Sequence, residues 1–240
     1  MLLGNFSKHV TAAAVFAGVV VAGMLVVSKS GQAANDNNGA QDEKQMIQIG
    51  LSAASSEGIT LSMSGKDQDM VGLGSYLVNV SGDCNGCHSA GPSTAFAPGG
   101  NPFLLPGPHP PNFSGVKRIN PATYLGGTRS FGSFGPGPKG EIISRNLTPD
   151  STGRAVGGAT LSDFKLIMRT GQDLDHRHPS CSASITTNCL SFPFNGDLLQ
   201  VMPWTSFQNM TDRQLTAIYT FLSAIPCLEG GPGEPANRCK

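Results

Sequence analysis

Cys84-Asn85-Gly86-Cys87-His88 places two cysteines three apart, with a histidine directly behind the second. That pattern is the signature of covalent haem attachment. Two thioethers fix two edges of a porphyrin, and the adjacent imidazole lies under the iron as its proximal ligand. A bare Cys-x-x-Cys is shared by redox dithiols and zinc sites; the histidine separates this one from them. The expected cofactor is one covalently attached haem c with its iron, held by Cys84, Cys87 and His88.

The rest of the composition is compatible with a small ordered core around a large group. Aromatic residues make up only 7% of the 240 residues and charged residues 13%. Glycine (31) and proline (17) are abundant, which predicts much irregular loop. A prosthetic group supplies apolar volume that the side chains lack. The formal net charge is zero and there is no basic block. Nucleic acid is therefore not an expected partner.

The N-terminus points to export. Lys8 precedes an apolar run over 10–27, followed by Lys29 and Gly31-Gln32-Ala33-Ala34. This reads as a signal peptide with small residues at a cleavage site near Ala33 or Ala34. The run is also at the lower edge of bilayer-spanning length, so an uncleaved membrane anchor over 1–34 is the alternative, with membrane association through residues 10–27. Four cysteines remain beyond the motif: Cys181, Cys189, Cys227 and Cys239. An oxidising compartment favours disulfides. Three pairings are possible. The local one, Cys181–Cys189 with Cys227–Cys239, is preferred because each bridge closes a short polar loop. Four free thiols or a zinc site are the other readings, the latter weak for want of close paired spacing.

Residues 35–66 are polar and rich in small side chains, and read as a linker or flexible arm. From Asp67 the pattern turns helical. Met70, Leu73, Leu77 and Val80 fall near one face, and this helix is expected to run into Cys84. Gly74 and Tyr76 form a pair that lets another helix cross closely. Residues 89–140 hold ten of the prolines and no periodic segment, and His109 there reads as merely exposed. Residues 141–150 read as a short extended piece ending in a turn at Thr148-Pro149-Asp150. Thr160 with Asp163 caps a helix that Gly171 ends. A second insert, 172–199, carries His176, His178, Cys181 and Cys189. Its His-x-His pair lacks a neighbouring cluster that would complete a metal site. Thr211-x-x-Gln214 is a capping box ahead of Leu215, Ile218, Tyr219, Leu222 and Ile225, and Pro226 stops that helix. Residues 228–240 form a Gly/Pro-rich tail.

The iron of a His-ligated haem has one further axial position. Met202, in the turn Val201-Met202-Pro203-Trp204, is the preferred ligand, because a loop methionine can be led across the haem face opposite His88. Pro203 stiffens that turn, and Trp204 is a candidate cover for a haem edge. Met210 reads as packing beneath the last helix, Met168 as core filler, and His176 or His178 as lesser alternatives. Thioether ligation raises the reduction potential and leaves no vacancy for oxygen or peroxide. No constellation of acid, base and nucleophile stands out.

On these residues the chain resembles bacterial class I c-type cytochromes, in particular monohaem modules in the cytochrome subunits of periplasmic or membrane-bound dehydrogenases. The likeness runs through Gly74-Ser75-Tyr76-Leu77 to His88, then Asn146-Leu147-Thr148-Pro149-Asp150 and Thr152-Gly153. It continues through Asp163-Phe164, Arg169-Thr170-Gly171, Met202-Pro203-Trp204 and Met210-Thr211-Asp212 with the helix behind it. The resemblance implies a mainly α fold, the class I cytochrome c fold, with helices crossing beside one haem. It implies a cytochrome domain over 67–227 carrying the inserts 89–140 and 172–199. It also implies an exported, periplasmic electron carrier rather than an enzyme, passing single electrons between a dehydrogenase and a respiratory-chain acceptor. Both inserts are long for that family, and the four extra cysteines are outside its pattern. A haem enzyme or gas-binding sensor with an open distal position is the alternative. A haem-free disulfide oxidoreductase is a third reading, disfavoured because no βαβ pattern surrounds residue 84.

Overall fold

The computed structural model describes residues 24–104, 117–133, 141–230 and 236–240, with side chains from residue 38 onward. The first 23 residues, and with them most of the apolar run read as a signal or anchor, lie outside the described residues, as does His109. Among the described residues no helix is long and apolar enough to cross a membrane. The chain divides into a unit 1–42 and a unit 43–240.

The described elements are mostly helical. Helix α1 spans Met24–Ser56 and runs into the second unit. There part of the stretch read as a linker or flexible arm, up to Ser56, is helical. Ile47 and Ala54 are buried, Gly50 lies between them, and Met46 and Leu51 pack against the same core. The spacing is helical, but it is thin and interspersed with Gln, Ser and Ala, so the polar composition masks it.

Helix α2, Gln68–Ser75, starts where Asp67 accepts hydrogen bonds from the Asp69 and Met70 N–H groups at 2.9 and 3.2 Å. Glycines two apart put the backbone of α2 within reach of helices on two sides. A Cβ on Gly72 would stand 2.8 Å from Ile47 Cγ2 of α1, and the Ser75 hydroxyl donates to the Gly50 carbonyl at 2.6 Å. A Cβ on Gly74 would overlap the Ala217 carbonyl oxygen and stand 2.6 Å from Phe221 Cβ. Gly74 thus permits the close crossing its sequence position suggested.

After Ser75 the chain turns π-helical over Tyr76–Ser81. The wider turn rotates the inner face, so Val78 and Asn79 are buried and Val80, expected inside, is 45% exposed. The helix also stops short of the motif: Asp83 is left-handed (φ 41°), and α3, Cys84–His88, begins afresh behind it.

The long insert after α3 contributes β1, Ser130–Ser133, which pairs antiparallel with β2, Glu141–Ile143. A turn α4, Ala155–Gly158, leads to α5, Leu161–Thr170. The Thr160–Asp163 capping box and the left-handed Gly171 bound α5 where the sequence placed them. The second insert leaves after Gly171 and returns with the Leu199 N–H donating to the Gly171 carbonyl at 2.7 Å. Short α6, Trp204–Phe207, precedes α7, Asp212–Leu222, whose capping box joins Thr211 and Gln214. Leu215, Ile218, Phe221 and Leu222 of α7 meet Leu73 and Val78, with Phe164 and Met168 of α5 beside them.

Candidate functional site

A cavity of about 940 Å³ opens beside α3. Cys84, Cys87, His88 and Met202 all line it, although the loop of Met202 is separated from α3 by both inserts. Its floor is apolar, formed by Leu77, Val78, Phe164, Ile218 and Leu222. The volume falls in the upper part of the range of cofactor and ligand pockets.

The wall carrying the motif is held by hydrogen bonds from distant loops. His88 Nδ1 donates to the Arg145 carbonyl at 2.8 Å. That contact fixes the tautomer and leaves Nε2 unprotonated, the form a metal ligand needs. Burial pulls the His88 pKa below its ordinary value. The Arg145 carbonyl opposes this and the Arg145 charge adds to it, and the ring stays neutral at neutral pH. The His88 carbonyl accepts from the Gly127 N–H at 2.8 Å. Gly127 (φ 71°) is required there: a Cβ would press on the Arg145–Asn146 peptide, 2.6 Å from the Asn146 nitrogen. Asn85, inside the motif and buried, accepts from the Leu125 N–H at 2.9 Å, and the Leu125 carbonyl accepts from the Leu147 N–H at 2.8 Å. Arg129 donates to the Gly86 carbonyl and lies over the Phe131 ring.

Cys84 and Cys87 are free thiols, not paired with each other. Burial pushes the Cys84 thiol up to about 12, with the Asp83 charge adding to the rise. A thiol–disulfide catalyst needs the reverse, a cysteine made acidic by its surroundings. The four other cysteines pair locally, Cys181 with Cys189 and Cys227 with Cys239, their Cα atoms 5.0 and 5.7 Å apart. This removes the zinc alternative for those four.

The opposite wall has another construction. The Met202 N–H donates to the Gln200 carbonyl at 2.7 Å, and the Trp204 N–H to the Met202 carbonyl at 2.8 Å. Met202 therefore stands between two three-residue turns. The first is centred on Val201 at φ 67°, a costly conformation for a β-branched residue; the second is centred on Pro203. Trp204 does not line the cavity; it packs on Gly171, where a Cβ would overlap the indole. Met168 is buried in the core as expected and also borders the cavity, while Met210 packs against the core away from it.

The second insert supplies a polar side. Arg145 pairs with Asp173 and Asp175, and His178 lines the cavity nearby. His176 faces Asp197 at 3.7 Å instead, so the His-x-His pair is split. Among the described residues no group of three His, Cys, Asp or Glu is placed to hold a metal ion. A haem iron needs fewer protein donors, since the porphyrin supplies four nitrogens. Two free cysteines, a neutral oriented imidazole and a thioether around one apolar cavity fit such a group.

The residues that sequence reasoning missed are Asn85, Leu125, Gly127 and Arg145. Only Asn85 carried a signal, as an amide inside the motif. Leu125 and Arg145 act on the motif through backbone groups that any residue type supplies, and Gly127 through a backbone N–H at a place that only its missing Cβ permits. No protein-family model, curated protein or solved structure matches this chain.

Proposed function

We propose that this chain is an exported c-type cytochrome of the class I kind, carrying single electrons through one covalently attached haem. The observation that carries the reading is the convergence of Cys84, Cys87, His88 and Met202 on a single apolar cavity. When bound, the group supplies one-electron chemistry, its iron alternating between ferric and ferrous. Cys84 and Cys87 anchor it by thioether bonds. His88, its ring aimed by the Arg145 carbonyl, and Met202 would hold the iron through Nε2 and sulfur, and the soft thioether would favour the ferrous state and raise the potential. Leu77, Phe164 and Leu222 exclude water from the floor. A dehydrogenase as donor and a respiratory-chain component as acceptor suit an exported carrier of this kind.

The intact mass of the exported protein together with its visible spectrum tests the reading. Added haem mass, a low-spin ferric spectrum and the weak far-red band of thioether-ligated iron are expected. A mass without haem would sink the proposal. A high-spin ferric form, or ready carbon monoxide binding to the reduced protein, would replace it with a haem enzyme or gas sensor open at the distal position.

A further inference from the structure

The C-terminal segment reads as a tail, yet it buries a guanidinium. Arg238 is only 6% exposed. A buried cation is costly unless its donors are satisfied. Arg238 Nη2 donates to the Thr148 carbonyl at 2.6 Å and to the Pro149 carbonyl at 3.4 Å, and the Arg238 carbonyl accepts from the Ser151 N–H at 2.7 Å. From the other end of the segment, the Leu228 N–H donates to Thr148 Oγ1 at 3.0 Å. The Leu228 carbonyl accepts from Asn146 Nδ2, also at 3.0 Å. Leu228 follows Cys227 and Arg238 precedes Cys239, so the disulfide joins the two gripping residues at their bases. Asn146 Oδ1 completes the network by accepting from the Thr148 N–H and hydroxyl at 2.9 and 2.7 Å.

The gripped loop begins at Arg145, whose carbonyl orients His88. We propose that Arg238 is a positioning residue for His88, and that Leu228 and Arg238, tied together by the Cys227–Cys239 disulfide, form a clamp which, through the 145–149 loop, holds the Arg145 carbonyl against the ring. The proposal rests on the haem reading, because its consequence is carried by the iron. A hydrogen bond from Nδ1 makes the imidazole a stronger donor. A stronger donor favours ferric iron, so a clamp that holds this bond keeps the potential lower. Loosening the clamp raises it.

Two variants separate this from simple electrostatics. Arg238→Met removes the grip together with a buried positive charge; Thr148→Val removes the Leu228 grip with no change of charge. Both are compared with the native protein for midpoint potential and for deuterium exchange of the Gly127 N–H, which reports on the His88 carbonyl. The clamp predicts that the potential rises in both variants, that Gly127 exchange quickens by about tenfold, the scale of one buried hydrogen bond, and that Arg238→Lys recovers part of each. Loss of charge alone would lower the potential of Arg238→Met and leave Thr148→Val unmoved, which overturns the proposal. Unmoved potentials in both variants overturn it too. If Arg238→Met does not fold, the charge-neutral Thr148→Val decides alone. If the mass shows no haem, the haem reading fails separately. The clamp is then judged on exchange: faster at Gly127 supports it, and unchanged overturns it.

Discussion

Around His88 the chain spends hydrogen bonds from two distant segments, 125–129 and Arg145; around Met202 it spends almost none beyond its own turn. The first wall draws on Leu125, Gly127 and Arg129, from within the proline-rich insert, and on Arg145, from just beyond it. The second is two back-to-back three-residue turns, one of them strained at Val201. Met202 itself is half-buried and packs against the edge of the core. The difference assigns the walls different tasks. One fixes a motif in place before and after any group is attached, and the other presents a single side chain from a stiff but local piece of backbone. Damage to the first should be felt by the whole fold, and damage to the second chiefly by the ligand.

The largest expected contrast comes from one substitution in each wall. Asn85→Ala strips the buried Leu125 N–H of its acceptor. A buried donor left unpaired costs roughly 2–3 kcal/mol, read as a lower urea midpoint at constant slope. Met202→Leu keeps volume and apolarity, so it should cost less than about 1.5 kcal/mol. Its signature is spectral: the far-red band of the ferric protein disappears while the fold stays intact. A Met202→Leu protein that kept this band would put the thioether elsewhere, with Met168 the other methionine on the cavity.

The same contrast explains what was legible in the sequence. Local chemistry could be read: the Thr160–Asp163 and Thr211–Gln214 boxes, Gly171 as a helix end, the short disulfide loops and the close crossing at Gly74. Each is set by residues within a few positions or by a side chain whose absence is the point. Met202 was legible as a cavity residue because a methionine beside proline in a loop is conspicuous. The proximal scaffold was not, because apart from Asn85 and Arg129 it is made of backbone N–H and carbonyl groups meeting across long separations, with no period to betray them. Two other departures have the same origin. The π-helical turn that exposes Val80 changes the period mid-helix. The helical stripe of Ile47, Gly50 and Ala54 contains too few large apolar residues to stand out from its polar surroundings.

A smaller effect, of opposite sign, should come from the strained turn. Val201→Gly relieves a positive φ at a β-branched residue that is itself 42% exposed, so little packing is lost. Relief of such strain is worth about 1 kcal/mol, so the urea midpoint should rise. If the distal wall needs that stiffness to present Met202, the far-red band should weaken in the same variant even as stability increases. Gained stability with an unchanged band would mean that packing, not the turn, aims the sulfur.

The smallest effect concerns acid, and it sets the wall of His88 apart in pH window from a surface ion pair. Asp212, the first residue of α7, faces α5, where Arg169 and then Lys165 hold its carboxyl below the usual 3.8. The unfolded chain therefore takes up this proton first as pH falls, and the contribution to stability present above about 3.8 is lost as pH drops through the folded value. The group is exposed, so the expected change is slight. Asp212→Asn should flatten that limb of a thermal-unfolding profile and leave the neutral region nearly unchanged. His88 moves in the same direction but starts higher, since burial holds its ring below the usual 6.5 and the unfolded chain protonates there first. Iron at Nε2 competes with that proton and carries the His88 limb further into acid, while the Asp212 limb stays where it is. Profiles of haem-loaded and haem-free protein should accordingly diverge between the two windows and converge at the acid end. Divergence confined to the region below 3.8 would show that the ring of His88 does not meet the metal.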